Sequence, residues 1–235
     1  VIKNGNAIFN KNFKESKKII KICKKRKIKI STVGRNSSIN VEQIRSIKNY
    51  QEVIFTYKKK KFLFKTQLIG DVQINNLMLA ILVATKYLSI EKIANVLPLI
   101  KPIKGRFEEV GKLKNEARVI LDYAHTPDAL ESCIKTIKKQ YKNSKISIVF
   151  GCGGERDKNK RIIMGRIANK FCEKIFLTDD NPRNENPEFI RRQIKMKINK
   201  RILNEIPSRA IAIKKAIFNL KSGDTLIVAG KGHEN

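Results

Sequence analysis

An α/β architecture built on a mostly parallel sheet is what this sequence predicts, and three observations predict it. From about residue 105 onward, short apolar runs alternate with longer amphipathic stretches, as in a sheet whose strands are joined by helices. Helix-start signals stand in front of two of those stretches, Thr126 before Pro127 and Asn186 before Pro187. A polar or Gly-rich loop follows each of four apolar runs, and in such a sheet those four loops share one edge. Residues 105–235 are therefore expected to form a Rossmann-like domain.

In chain order, Ile19, Ile20, Ile22 and Cys23 predict an amphipathic helix within residues 13–27. A strand is expected over 28–33 and a loop at Gly34-Arg35-Asn36-Ser37-Ser38. Residues 53–57 and 62–64, separated by lysines, predict two antiparallel strands. Gly70-Asp71 precedes an apolar helix over 72–88 that carries Asn75 and Asn76 near its start. Ser89 caps a further helix over 90–97, and Pro98 and Pro102 bracket a linker. Beyond it, strands are expected at 119–121, 146–150, 175–178, 202–205 and 225–229, with helices at 127–142, 161–171, 187–198 and 208–220.

At 235 residues and 41% hydrophobic content, the chain suffices for one large domain or two modest ones with real cores. No apolar run approaches the roughly 20 residues of a membrane span, and the first residues lack the apolar stretch of a signal peptide. A cytoplasmic protein is expected, and one that is a piece of a longer chain, because it opens without Met and stops just past a strand. Cys23, Cys133, Cys152 and Cys172 are scattered with no C-x-x-C pair, so they read as reduced thiols and not as a zinc site or a disulfide framework. The formal charge of +30 is spread almost end to end and comes mostly from Lys. Its runs lack the interleaved aromatics of a single-strand binder, so nucleic-acid binding is not expected as the primary function.

The chemistry collects in the four loops. They are Asp122-Tyr123-Ala124-His125-Thr126-Pro127-Asp128, Gly151-Cys152-Gly153-Gly154-Glu155-Arg156-Asp157, Asp179-Asp180-Asn181-Pro182-Arg183 and Gly230-Lys231-Gly232-His233-Glu234. The only two histidines, His125 and His233, both lie in them. The Gly151 loop is not G-x-G-x-x-G, and no Gly-Lys pair continues into Ser or Thr, so neither a dinucleotide fingerprint nor a P-loop is present. Gly153 and Gly154 permit close backbone approach or a positive φ. His125 has no Ser or Cys partner nearby that would suggest a hydrolase. In the third loop Pro182 fixes its own φ and biases Asn181 away from helix, so Arg183 stands at a defined place. A guanidinium is a planar fork of donors suited to a carboxylate or phosphate.

Taken together, Gly105-Arg106-Phe107-Glu108, residues 122–128, residues 151–161, Asp180-Asn181-Pro182-Arg183 and residues 229–234 resemble the Mur ligases of peptidoglycan synthesis, in the branch that adds diaminopimelate. Residues 70–80 are similar to that family's G-x-F-Q/N-V-x-N helix start in its central ATPase domain. The resemblance implies that residues 1–104 are the latter part of the central ATP-binding domain and 105–235 the C-terminal, amino-acid-binding domain. It implies ATP-dependent addition of meso-diaminopimelate to UDP-N-acetylmuramoyl-L-alanyl-D-glutamate through an acyl phosphate.

Position by position, Asn76 and Arg106 resemble residues that approach ATP, and Asp122 one that bonds its ribose, with His125 beside the same nucleotide. Arg156, Asp180, Asn181, Pro182, Arg183, Gly230 and Glu234 resemble the pocket for meso-diaminopimelate. Relatives that add lysine lack Arg at the position of Arg183, so substrate choice is assigned to it. A site that holds the second carboxylate of diaminopimelate leaves Arg183 facing an ammonium group when lysine binds, which discriminates against lysine.

ATP and Mg2+ are the implied cofactors, with the Mg2+ ligands, the P-loop and the main catalytic groups upstream of residue 1. The chain alone is expected to be inactive and monomeric, with no metal site of its own and neither nucleic acid nor membrane as partner. Lys3-Asn4-Gly5-Asn6 stands where the family has N-x-D-D. The alternatives are a Mur-like or folylpolyglutamate-type ligase for another amino acid, or a non-catalytic basic nucleic-acid-binding module.

Overall fold

The computed structural model describes residues 5–47 and 50–232 and divides into two compact units, Val1–Lys101 and Pro102–Asn235. In the first unit β1 (Asn6–Asn10), β2 (Lys29–Val33), β3 (Ile39–Ile47), β4 (Tyr50–Tyr57) and β5 (Lys60–Thr66) form one sheet in that order. β1, β2 and β3 run parallel, with α1 (Ser16–Lys25) joining the first two, while β3, β4 and β5 form an antiparallel meander. The expected antiparallel pair is present and longer than its aromatic residues alone mark. Lys58 and Lys59 both adopt positive φ, 47° and 65°, as in the mirror-image turns that suit the twist of a hairpin.

Helix α2 (Asp71–Ala84) begins after Gly70, which takes φ 95° and donates its N–H to Gln51 Oε1 at 3.2 Å. It lays Ile74, Leu77, Met78, Ile81 and Leu82 against Val33, Ile39, Val53, Phe55 and Phe64, which is the core of this unit. The helix stops before residue 88, at Thr85, whose hydroxyl donates to the Leu82 carbonyl at 2.9 Å. Ser89 caps α3 (Ile90–Val96) as expected, and Leu97–Leu99 form a short 3-10 turn.

Two strands of this sheet are not legible in the sequence. β3 carries an irregularity between Val41 and Gln43 that breaks the alternation a half-buried strand should show. β1 is short and opens at Asn6, so Gly5-Asn6 leads into a strand; Lys3 and Asn4 lie outside the described residues. The polar turn that does close β1 is Asn10-Lys11-Asn12, where the Asn12 N–H donates to Asn10 Oδ1 at 2.8 Å.

The second unit is the α/β sheet. Its strands are β6 (Glu108–Lys112), β7 (Arg118–Asp122), β8 (Ile146–Phe150), β9 (Lys174–Leu177), β10 (Leu203–Glu205) and β11 (Thr225–Ala229). They lie in the order β10-β9-β8-β11-β7-β6, all parallel except β6. β6 is not legible in the sequence, because it is a half-exposed edge strand with a bulge between Glu109 and Gly111.

The connecting helices are α4 (Pro127–Gln140), α5 (Asn159–Phe171), α6 (Pro187–Lys195) and α7 (Arg209–Phe218). Thr126 and Asn186 cap α4 and α6, as their sequence signals indicate, and Ser208 caps α7. Ala212 and Ala216 of α7 pack on Val119, Val149, Phe176, Leu226 and Val228. The alternating residues Ile120, Ile148, Ile175 and Ile227 are also fully buried, so both faces of the sheet are covered. Helices α4, α5 and α6 pack side by side. Gly165 lets α5 approach α6 closely, since a Cβ there would overlap the Ile194 carbonyl oxygen. Among the described residues no helix is long and apolar enough to cross a membrane.

Candidate ligand site at one edge of the second sheet

Because β7, β8, β9 and β11 are parallel, the loops after them emerge at the same edge, the carboxyl edge where open α/β sheets bind ligands. β6 runs the opposite way, so the segment leading into it joins that edge. A Cβ on Gly105, which has φ 68°, would overlap the Gly232 carbonyl, and the Gly105 carbonyl accepts the Tyr123 N–H at 2.9 Å. The four loops that the sequence places on one edge emerge there as far as residue 232, and the Gly105 segment joins them through β6, which the sequence does not mark.

Asp122 ends β7 with both carboxylate oxygens engaged by backbone. Oδ1 accepts the Ala124 N–H and Oδ2 the Phe107 N–H, each at 2.8 Å. Its pKa is raised, chiefly by burial, and these N–H groups and the nearby Arg106 oppose that rise. The Arg106 guanidinium lies 4.1 Å from the centre of the Tyr123 ring, and the His125 ring meets the same tyrosine edge to face at 4.5 Å. His125 Nδ1 is 3.0 Å from the Tyr123 carbonyl, and Lys160 Nζ donates to the His125 carbonyl at 2.9 Å. Arg106, Asp122 and His125 thus form one cluster, with Tyr123 as a shared platform that the sequence did not single out. Asn76 is exposed on α2 in the first unit.

The Gly151 loop and the Asp179–Arg183 loop are joined along their length. The Gly154 N–H donates to the Asn181 carbonyl at 2.9 Å, and Arg183 Nη1 donates to the Gly154 carbonyl at 2.6 Å. Asn184 Nδ2 donates to Glu155 Oε1 at 2.7 Å. A Cβ on Gly151 would overlap the Thr178 carbonyl, and one on Gly154 the Pro182 carbonyl. These glycines therefore serve close approach between two loops and not a left-handed backbone; positive φ falls on Glu155 and Arg183, both at 51°. In the second loop the Asp180 side chain accepts the Asn181 N–H at 2.7 Å, and Asn181 Oδ1 accepts the Arg183 N–H at 3.2 Å. Asp180 Oδ2 also lies 3.8 Å from the Arg209 guanidinium and 3.5 Å from where a Gly230 Cβ would stand, which ties the third and fourth loops together. Arg156 is exposed on the Gly151 loop. His233 and Glu234 lie outside the described residues.

Beneath the joined loops is a residue to which the sequence assigns no site role. Arg161 is fully buried and forms a two-pronged pair with Glu185, Nη1 to Oε2 and Nη2 to Oε1, both 2.9 Å. Nη1 also donates to Gln193 Oε1 at 2.7 Å and Nη2 to the Gly153 carbonyl at 3.2 Å. Its spacing from Met164 and Ala168, both buried, places it on the inner stripe of α5, and that was the available signal. The Arg161 guanidinium holds the Glu185 carboxyl down to about 2. The free Cys152 thiol, 3.7 Å from Met164 Sδ, is pushed up to about 11 by burial, so it is no nucleophile for this edge. All four cysteines are buried and unpaired. Among the described residues no three His, Cys, Asp or Glu side chains converge to hold a metal.

Chemically, this edge offers an aromatic and carboxylate cluster on one loop and a fixed guanidinium on another. Arg183 commits one N–H to Gly154 and retains the rest of its five donors.

Residues 105–232 match the family model described as Mur ligase, glutamate ligase domain, and residues 1–84 match the one described as Mur ligase middle domain. The chain is 38% identical over 238 residues to the UDP-N-acetylmuramoyl-L-alanyl-D-glutamate--2,6-diaminopimelate ligase of Rickettsia felis, covering 100% of this chain and 44% of that protein. It is 42% identical over 236 residues to the protein of the same name in Rickettsia bellii, covering 99% and 49%. The chain spans about half the length of the curated relatives it matches. A solved structure of a protein with that name aligns at TM-score 0.60 and 29% identity, over 98% of this chain and 48% of that one. The folylpolyglutamate synthase of Mycobacterium tuberculosis aligns at TM-score 0.80 and 13% identity, over 96% and 52%, which speaks to the fold alone.

Proposed function

The chain belongs to the Mur ligase family, and from that premise we propose that it is part of the cytoplasmic enzyme that adds meso-diaminopimelate to UDP-N-acetylmuramoyl-L-alanyl-D-glutamate. The reaction consumes ATP to activate the D-glutamate carboxylate as an acyl phosphate, which an amino group of diaminopimelate then attacks. Residues 1–104 are the latter part of the ATP-binding domain and residues 105–235 the domain that receives the amino acid. The protein acts as a monomer on small molecules.

The observation that carries the reading is Arg183, held over the Gly153-Gly154 turn at the carboxyl edge of the sheet. Diaminopimelate differs from lysine by a second carboxylate at its far end, and a fixed guanidinium is the donor set that recognises it. Asp180, Asn181 and Pro182 shape the turn that carries Arg183, while Arg156, Gly230 and, by its place in the sequence alone, Glu234 are assigned to amino-acid binding. On the neighbouring loop Asp122 accepts from a ribose hydroxyl of ATP, with Arg106 and His125 on either side of Tyr123 beside the nucleotide. Asn76, near the start of α2, is assigned to ATP by its match to the family's helix start. ATP and Mg2+ are the cofactors of this reaction; among the described residues no three His, Cys, Asp or Glu side chains converge as a preformed metal site.

The test is a chimera in which residues 1–235 replace the matched stretch of a family member, assayed for ATP-dependent addition of diaminopimelate and of lysine. Preference for diaminopimelate is the expected result. Robust lysine addition with no diaminopimelate activity overturns the substrate assignment.

A further inference from the structure

We propose that Arg161 is a positioning residue for the ligand edge, and that its buried guanidinium locks the Gly151 and Asp179–Arg183 loops into one rigid reader of an amino-acid carboxylate. The ligand class rests on the proposed function; the locking does not.

Arg161 sits in the first turn of α5, with Glu185 and Gln193 on the segment and helix that follow the other loop. Its Nη2 donates both to Glu185 Oε1 and to the Gly153 carbonyl, so a single nitrogen bridges the two loops. Glu185 Oε1 accepts in turn from the Glu155 N–H at 2.6 Å. The Gly153-Gly154-Glu155 segment is thereby held on three sides, by Arg161 at Gly153, Asn181 and Arg183 at Gly154, and Glu185 at Glu155.

Arg183 depends on this arrangement. Its Nη1 donates to the Gly154 carbonyl, and that same nitrogen stands 3.0 Å from where a Gly153 Cβ would be. If the Gly153-Gly154 turn moves, the acceptor that orients the guanidinium moves with it. Arg183 itself is exposed and carries φ 51°, a conformation that a non-glycine residue keeps only when its surroundings impose it. A buried ion pair 24 residues apart in sequence is a costly feature for stability alone, and it suits geometric specification better.

The experiment compares Arg161→Lys and Glu185→Gln with the wild type in the 235-residue chain and in the chimera. In the chain, hydrogen exchange at the Gly154 and Glu155 amides is expected to quicken by about tenfold or more, while core amides of β8 and β11 stay within about twofold. Unchanged loop exchange, or a uniform rise across the unit, overturns the proposal. In the chimera, KM for diaminopimelate should rise by about tenfold, with KM for ATP and kcat within about threefold. An unchanged diaminopimelate KM in an active chimera also overturns it. If the wild-type chimera does not use diaminopimelate at all, the ligand reading fails, and loop exchange alone decides the role of Arg161. Glu185→Gln keeps the shape and one acceptor oxygen, so it answers the question even where Arg161→Lys fails to fold.

Discussion

Gly154 and Pro182 touch backbone to backbone: a Cβ on the glycine would occupy the space of the proline's carbonyl oxygen. The contact joins the loop after β8 to the loop after β9 at the residue immediately before Arg183. Gly154→Ala must part the two loops or distort one of them. In the chimera its diaminopimelate KM is expected to rise by about tenfold or more while KM for ATP changes little, and a steady-state assay with each substrate varied decides it. Equal change in both KM values would mean that the contact serves the unit as a whole.

Arg183→Ala removes the proposed carboxylate donor without touching the β7 loop. A charge-assisted hydrogen-bonded pair contributes about 1.5–3 kcal/mol, so the diaminopimelate to lysine preference should fall by roughly 10- to 100-fold. Arg183→Lys should recover only part of it, because an ammonium group lacks the planar fork. Competition between the two amino acids in one assay measures the ratio directly, and an unchanged ratio counts against Arg183 as the selective residue.

Asp122→Asn tests the other loop. The carboxylate serves the Phe107 and Ala124 N–H groups with separate oxygens, and an amide supplies only one. One backbone donor is left unmatched, at about 1–3 kcal/mol, and the expected readout is a KM for ATP raised by about tenfold with diaminopimelate KM nearly constant. A variant that loses diaminopimelate affinity instead would reassign this loop.

The Glu185 carboxyl gives a pH signature. Arg161 binds its ionised form and lowers its pKa to about 2 in the folded chain, against about 4.3 for an unpaired glutamate. The unfolded chain therefore takes up the proton first as pH falls. The stabilisation is complete above about pH 4.3 and is lost as pH falls toward 2. Denaturant unfolding of the wild type and Glu185→Gln should show a constant gap from about pH 5 to 8 that closes between about pH 4 and 2. A gap that persists at about pH 2 would show that the charge of Glu185 is not what stabilises the pair.

Arg161→Met removes the buried partner altogether, leaving Gly153, Glu185 and Gln193 without their shared donor. The unit should lose about 3 kcal/mol or more, read as a lower denaturant midpoint at unchanged slope. A loss under about 0.5 kcal/mol would mean that water replaces the guanidinium at no cost.

What the sequence determined was local. Apolar runs, the caps at Thr126 and Asn186 and the turn residues between them set the order of strands and helices. The parallel reading then followed, and with it the shared edge for the four loops. Strands whose alternation is broken by a bulge, β3 and β6, left no such periodic trace. Which loops touch was decided only by the tertiary structure. The pairing of Phe150 with Leu177 across β8 and β9 sets the start of one loop beside the start of the other. That register makes glycine necessary at Gly151 and Gly154 and delivers Glu185 to Arg161. Propensity and periodicity act over a few residues, whereas this ion pair and these backbone contacts join positions some two dozen residues apart or more, through sheet register and helix packing.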